Sequence, residues 1–355
     1  MVGFFVASTQ RDIVERDHDW HLYQRYIGFM KILVTGGLGF IGHHVVAMLE
    51  RIGHEVVITD TQTTYGIIPQ EELTALVAER KTHIGTDRIY GIDIADADGM
   101  DWLMGKHQPD AVVHLASFPR QKVVNSDPQA GSRAMSEGLL NLLESSTRHG
   151  VKKFVYVSSS MIYGNFKDTY FDGVNESHPT NPIGQYGIMK LAGEWLVRDY
   201  TRRTGMTHVV VRPSAVYGPR DVEDRVVSRF LTTAMQGGEI QVNGRDESLD
   251  FTHVNDCAAG IVVATVKSAT ENRTYNLSRG RARTLLEAAE LAIKIAGSGS
   301  IRVNQSDNNF PSRGQLNTLL AREDFGFEPE VDIEEGFKDY YEWLKDSVYG
   351  IKKAV

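Results

Sequence analysis

From Lys31 onward, short apolar runs alternate with amphipathic ones. "KILVT" reads as a strand, and Phe40–Arg51 carries apolar positions at helical spacing. "EVVIT" is the next strand, "EELTALVAER" a helix, "AVVHLA" a strand and Met135–Arg148 a helix. "KFVYVSS", a helix over Tyr186–Arg203 and the strand "HVVVRP" continue the series. Strands separated by helices predict βαβ crossovers and a parallel sheet covered on both faces. After Pro213 the rhythm loosens into small strands and loops around helices. The pattern predicts an α/β fold: a doubly wound Rossmann-type sheet over residues 30–213, and a smaller, partly interleaved α/β lobe over 214–355. In such sheets ligands bind beyond the carboxyl ends of the strands, so those residues carry the functional interest.

The first strand runs into Gly37-Leu38-Gly39-Phe40-Ile41-Gly42, a G-x-G-x-x-G that opens the first helix, with Gly36 just before it. Gly36 permits the turn, Gly39 lets backbone approach a pyrophosphate, and Gly42 lets helix pack on strand. Unpaired N–H groups at the helix start then face the phosphates, beside Phe40 and Ile41. Asp60 ends the second strand 18 residues after Gly42, where it can accept bonds from ribose hydroxyls. That carboxylate repels a 2′-phosphate and no arginine follows in "DTQTTYG", so NAD is expected rather than NADP. Asp93 is either an adenine contact or a plain strand-end carboxylate. The neighbouring strand-end positions Ile94, Leu115, Ala116, Ser117 and Pro213 complete the expected cofactor set.

Tyr186 and Lys190 form a Tyr-x-x-x-Lys, one helical turn apart on one face. A phenol serving as general base near pH 7 needs its pKa lowered by about three units, roughly 4 kcal/mol of phenolate stabilisation. A neighbouring ammonium and the positive nicotinamide ring can supply it. The tetrad also occurs at Tyr163/Lys167, Tyr341/Lys345 and Tyr349/Lys353. Position favours Tyr186, which opens a helix beyond the fifth strand, 27 residues after Ser159 at that strand's end.

"TGGLGFIG", "VVHLAS", "FVYVSSSMIYG", "YGIMK", "VVVRPSAVYGPR", "LDFTHVND" and "FGFEPEVDIEEGF" occur in the order seen in extended short-chain dehydrogenase/reductases. The set resembles the NAD-dependent epimerase/dehydratase group that acts on nucleotide sugars, with 4-epimerases its best-known members. The resemblance implies NAD held by a Rossmann domain, a nucleotide-diphosphate sugar substrate and a homodimer. It assigns Ser159, Tyr186 and Lys190 as catalytic, with Lys190 also on the nicotinamide ribose. Two positions after that serine separate the chemistries. Family 4,6-dehydratases carry Asp and Glu there, and decarboxylases the Glu; here they are Ser160 and Met161, and a thioether performs no acid/base work. The implied reaction is C4 epimerisation through a 4-keto sugar with return of the hydride. A 4-ketoreductase or dehydrogenase uses the same residues, and a non-catalytic NAD sensor is the reading outside enzymes.

Three positions depart from the family pattern: Met135 and Ala215 replace asparagines, and Leu249 replaces the arginine before "DF" that grips the pyrophosphate. Another cation must then serve, with Arg220, Arg245, Arg281, Arg283 and Arg313 as candidates. Phe118 and Tyr163 either wall the nicotinamide and sugar pocket or pack in the core, and Ser160, Met161, Ala215 and Leu249 are expected to line the sugar site. The adjacent pair His43-His44 points in two directions along a helix and reads as surface or interface, not metal.

Composition narrows the field further. The 355 residues are 41% hydrophobic and 24% charged, ordinary for a globular protein. A net charge of -8 argues against nucleic acid and anionic membranes as partners. Cys257 is the single cysteine, in an apolar helical run, so neither a disulfide framework nor a thiolate metal centre is expected. Residues 1–29 join a short apolar patch to a charged run, too short to span a bilayer, and read as an extension without assigned role. The expected location is cytoplasmic.

Overall fold

The computed structural model describes residues 28–167, 170–221, 225–307 and 310–347. The extension over 1–29 falls almost wholly outside them. In chain order the strands are β1 (Lys31–Thr35), β2 (Glu55–Thr59), β3 (Ile89–Tyr90), β4 (Ala111–His114), β5 (Lys153–Val157), β6 (Thr207–Pro213) and β7 (Val216–Tyr217). β8 (Glu239–Asn243), β9 (Ser248–Leu249), β10 (Thr252–His253), β11 (Arg273–Leu277), β12 (Arg283–Thr284) and β13 (Ser300–Asn304) follow. Seven of them form one parallel sheet in the order β11-β6-β5-β4-β1-β2-β3. The order reverses between β1 and β4, which opens a crevice at their carboxyl ends.

The strands are apolar on both faces because both faces are covered. The helices Phe40–Arg51 and Val254–Val266 pack on one face through Val45, Val46, Leu49, Ile261 and Ala264. Ala97–His107, Gly138–Arg148 and Gln185–Thr204 cover the other through Leu103, Leu142 and Val197. Cys257 is fully buried on the first face, and burial pushes its thiol up to about 12, so it is inert. A separate apolar core joins the helices Val226–Met235, Leu285–Ala296 and Ile333–Asp346 to β8 through Phe230, Ala289 and Phe337. This is the smaller lobe. It is interleaved because the chain returns to the main sheet as the helix Val254–Val266 and strand β11.

The hydropathy pattern gave the bounds of β1, β2 and β6 and of the helices after β1 and β5 to within a residue or two. It missed β3, the helix Ala97–His107 and the short helices over 121–132, which are too brief or too mixed in polarity to show a period. The helix expected from Met135 starts as a π-turn over Arg133–Glu137 before becoming α-helical at Gly138. No helix among the described residues is long and apolar enough to cross a membrane.

His43 is not at the surface as expected; it is fully buried, its Nδ1 donating to the Gly39 carbonyl at 2.9 Å. Burial, reinforced by Arg80, holds it down at about 3. His114 is held at about 3 by burial and Lys190, and His208 at about 4 by burial and Arg198. All three fold as neutral rings, whereas the unfolded chain binds their protons below about pH 6.5. Stability is therefore complete above that pH and lost as pH falls, by about 1.4 kcal/mol per unit for each ring. Asp250, raised to about 6 by burial, opposes this with one proton. Urea denaturation between pH 7.5 and 5 is expected to show falling stability, with a shallower slope in His114→Asn; a flat profile would contradict the buried neutral rings.

Candidate active site

One cleft of about 1490 Å³ runs along the carboxyl ends of the strands and into the smaller lobe. It exceeds the roughly 300–1,000 Å³ of a typical single-ligand site, so it has room for two ligands end to end. Gly36, Gly39, Phe40, Ile41, Gly42, Asp60, Asp93, Ile94, Leu115, Ala116, Ser117 and Pro213 all line it. At the β1 end a side chain is excluded: a Cβ on Gly42 would lie 2.1 Å from the Gly36 carbonyl oxygen, and Gly36 itself has φ +70°. Asp60 accepts from the amides of Leu38 at 2.9 Å and Gln62 at 2.8 Å, which hold the carboxylate facing the turn. Burial raises its pKa, against the pull of those amides and of Arg80. A bare helix start, a side-chain-free turn and a fixed carboxylate form a cradle suited to a dinucleotide.

Ser159, Tyr186 and Lys190 line the same cleft, further along. Ser159 lies two residues beyond β5 and its Oγ accepts from the Met161 amide at 3.2 Å, capping a 3-10 turn over Ser160–Tyr163. Tyr186 and Lys190 lie one turn apart on the helix Gln185–Thr204, with the ammonium 5.9 Å from the Tyr186 ring centre. Lys190 donates to the Val157 carbonyl at 2.8 Å. Burial pulls it down to about 7, with Glu194 opposing, so its charge responds to small changes in the cleft near neutral pH. Phe118 and Met135 form an apolar cluster against which Tyr186 packs. Met135, in place of the family's asparagine, therefore adds packing where an amide would add a hydrogen bond.

Glu194, four residues beyond Lys190, is fully buried. It receives two hydrogen bonds from Arg212, at 2.9 and 2.7 Å, and one from Ser158 at 2.6 Å. Arg212 also donates to the Tyr163 hydroxyl, which donates to Asn276. Tyr163 is thus part of a buried network, the packing alternative, and is not on the cleft wall. Of the other tetrads, Tyr341 lies on the last helix, outside the cleft wall, and Tyr349/Lys353 lie outside the described residues.

The arginine candidates divide. Arg313 lines the cleft, where burial pulls it down to about 10 against the support of Tyr186 and Glu247, so it stays charged. Arg220 turns away to Glu79, 3.3 Å distant. Arg283 pairs across β12 and β9 with Leu249 but directs its guanidinium to Glu334. Arg245 and Arg281 are exposed and off the cleft wall. These four are corrected on geometry: Arg220 and Arg283 are drawn to carboxylates off the cleft, and Arg245 and Arg281 lie outside its wall. Ser160, Met161, Ala215 and Leu249 do line the cleft, although the Ser160 hydroxyl is spent on Ser214 at 3.2 Å. Sequence reading missed Arg80, Arg120, Arg225 and Arg229, all on the cleft wall. Arg225 and Arg229 were findable as an i,i+4 pair; Arg225 lies 5.8 Å from the Phe40 ring centre.

A family model described as NAD dependent epimerase/dehydratase family matches residues 32–278. The chain belongs to that family. A dTDP-glucose 4,6-dehydratase of Streptomyces niveus is 30% identical over 90% of this chain and 94% of its own. A UDP-glucose 4-epimerase of Thermotoga maritima, solved with UDP-glucose, is 29% identical with TM-score 0.78, covering 89% of this chain and 99% of its own. The Thermus thermophilus UDP-glucose 4-epimerase, solved with NAD, is 27% identical with TM-score 0.79, covering 90% and 100%. The family's cofactor is NAD, and the glycine cradle with Asp60 fits it.

Truncating Glu194 to Ala strands the Arg212 charge in the core, and is expected to cost about 3–5 kcal/mol in urea denaturation. A loss under about 1 kcal/mol would mean that the pair does not hold the strand ends together.

Proposed function

We propose that the protein is a nucleotide-sugar epimerase acting at C4 with NAD. The observation that carries this is a cleft holding Ser159, Tyr186 and Lys190 together, with Ser160 and Met161 where a dehydratase of this family needs an acid and a base. NAD, when bound, supplies a two-electron acceptor and donor for the C4 carbinol. Tyr186, as phenolate, takes the proton of the C4 hydroxyl, and the Ser159 hydroxyl bonds the same oxygen. Lys190 favours the phenolate and binds the nicotinamide ribose. The 4-keto sugar then presents its other face, and Tyr186 returns the proton to the C4 oxygen. No carbon–oxygen bond breaks, because neither Ser160 nor Met161 can protonate a leaving hydroxyl. Arg313 grips the diphosphate in place of the arginine that Leu249 replaces. Leu140, Ile188 and Trp195 expose apolar surface on the helices Gly138–Arg148 and Gln185–Thr204, which supports a homodimer through these helices.

The Streptomyces niveus relative favours a second reading, 4,6-dehydration. Incubation with UDP-, GDP-, CDP- and dTDP-hexoses in deuterated buffer, read by proton NMR, separates the two. Inversion at C4 without deuterium is expected, whereas a new C6 methyl signal would replace epimerisation by dehydration. Tyr186→Phe is expected to lower kcat by at least about 10²-fold with an unchanged melting temperature. Arg313→Met is expected to raise KM by about tenfold or more at nearly constant kcat, since the diphosphate does not change between ground and transition states.

A further inference from the structure

The dinucleotide turn and the turn around β7 are far apart in sequence, yet one side chain touches both. Arg80 lies near the end of the helix Gln70–Lys81 and is only 4% exposed. Its Nη1 donates to the Leu38 carbonyl at 2.9 Å and its Nη2 to the Arg220 carbonyl at 2.7 Å. Leu38 sits between Gly37 and Gly39, and its own N–H donates to Asp60. A carboxylate and a guanidinium therefore grip one residue of the dinucleotide turn from its two ends.

The other contact is at a strained place. Arg220 has φ +68° and Ala215, five residues earlier, φ +35°. Residues other than glycine, asparagine or aspartate rarely adopt this conformation, so tertiary contacts must hold it. Ala215, Val216 and Tyr217, within the same segment, line the cleft. Next to Arg80, Glu79 pairs with the Arg220 side chain and accepts from Trp343 Nε1 at 2.7 Å, so this helix end is also anchored to the last helix.

We propose that Arg80 is a positioning residue that couples the two halves of the cleft: in bridging the Leu38 and Arg220 carbonyls, it makes ordering of the dinucleotide turn hold the 215–220 segment in its strained, cleft-lining shape. A planar guanidinium suits this because it presents several donors in a fixed fork; a lysine offers a point charge. The inference rests on the family's cofactor and not on the choice of sugar reaction, so its test needs no turnover.

Hydrogen-exchange mass spectrometry with and without NAD, and NAD titration by calorimetry, read the coupling directly. In the wild-type chain NAD is expected to slow exchange over both 36–42 and 216–221. Arg80→Met is expected to weaken NAD about tenfold and to confine protection to 36–42. Should that variant not fold, Arg80→Lys, which keeps the charge, is expected to show the same loss of joint protection. Leu76→Val, a buried change in the same helix away from both turns, is expected to keep protection of both segments. The proposal is overturned if NAD leaves 216–221 unprotected in the wild type, if the Arg80 variants keep joint protection, or if Leu76→Val abolishes it as they do.

Discussion

The site depends on a buried carboxylate, Glu194, and on the helix that carries it. Tyr186, Lys190 and Glu194 stand at i, i+4 and i+8 on one helix, so a single rigid element presents all three. Glu194 in turn bonds Ser158 beside Ser159, and Arg212 beside Pro213. The ends of β5 and β6 are thereby fixed against the helix, and with them the serine and the cleft floor. A buried ion pair of this kind adds little net stability, because desolvation offsets most of its attraction. Its effect is geometric: it allows one arrangement of three elements and leaves an uncompensated charge in any other.

The same physics sets the electrostatics of the cleft. Lys190 is buried, which pulls it down to about 7, with Glu194 as the neighbour that favours its charge. A group poised in this way suits a site where a phenol must lose and regain a proton within one turnover. At the far end of the cleft, Leu249 and Ala215 make the wall more apolar than the family pattern, and Arg313 supplies charge there beside Glu247. Departures also lie beside the tyrosine, where Met135 packs in one apolar cluster with it. The fold is shared with epimerases and dehydratases alike, and what differs between them is carried by the residues placed on it.

Local chemistry made part of this legible in the sequence. Three glycines between a strand and a helix can be read because only a residue without Cβ tolerates the approach of Gly36 and Gly42. Tyr186 and Lys190 can be read because helical spacing alone places them on one face. Continuous apolar strands announced a sheet covered on both sides, and every residue expected around the cofactor does face the cleft. Beyond strand ends and helix faces the reading weakened. Five arginines looked equivalent as letters, and only Arg313 among them faces the cleft, because a long side chain goes where its backbone and nearest carboxylate direct it.

The βαβ order, the dinucleotide turn and the helical tetrad were already legible in the residue order, since each follows from interactions among residues within a few positions of one another. Packing in three dimensions puts Tyr163 in a buried network and His43 in the interior, and lets Arg80 reach from a helix of unremarkable hydropathy to two distant carbonyls. Those outcomes depend on which elements meet in space, and hydrogen bonds across 42 or 140 positions of chain leave no periodic trace in the order of residues.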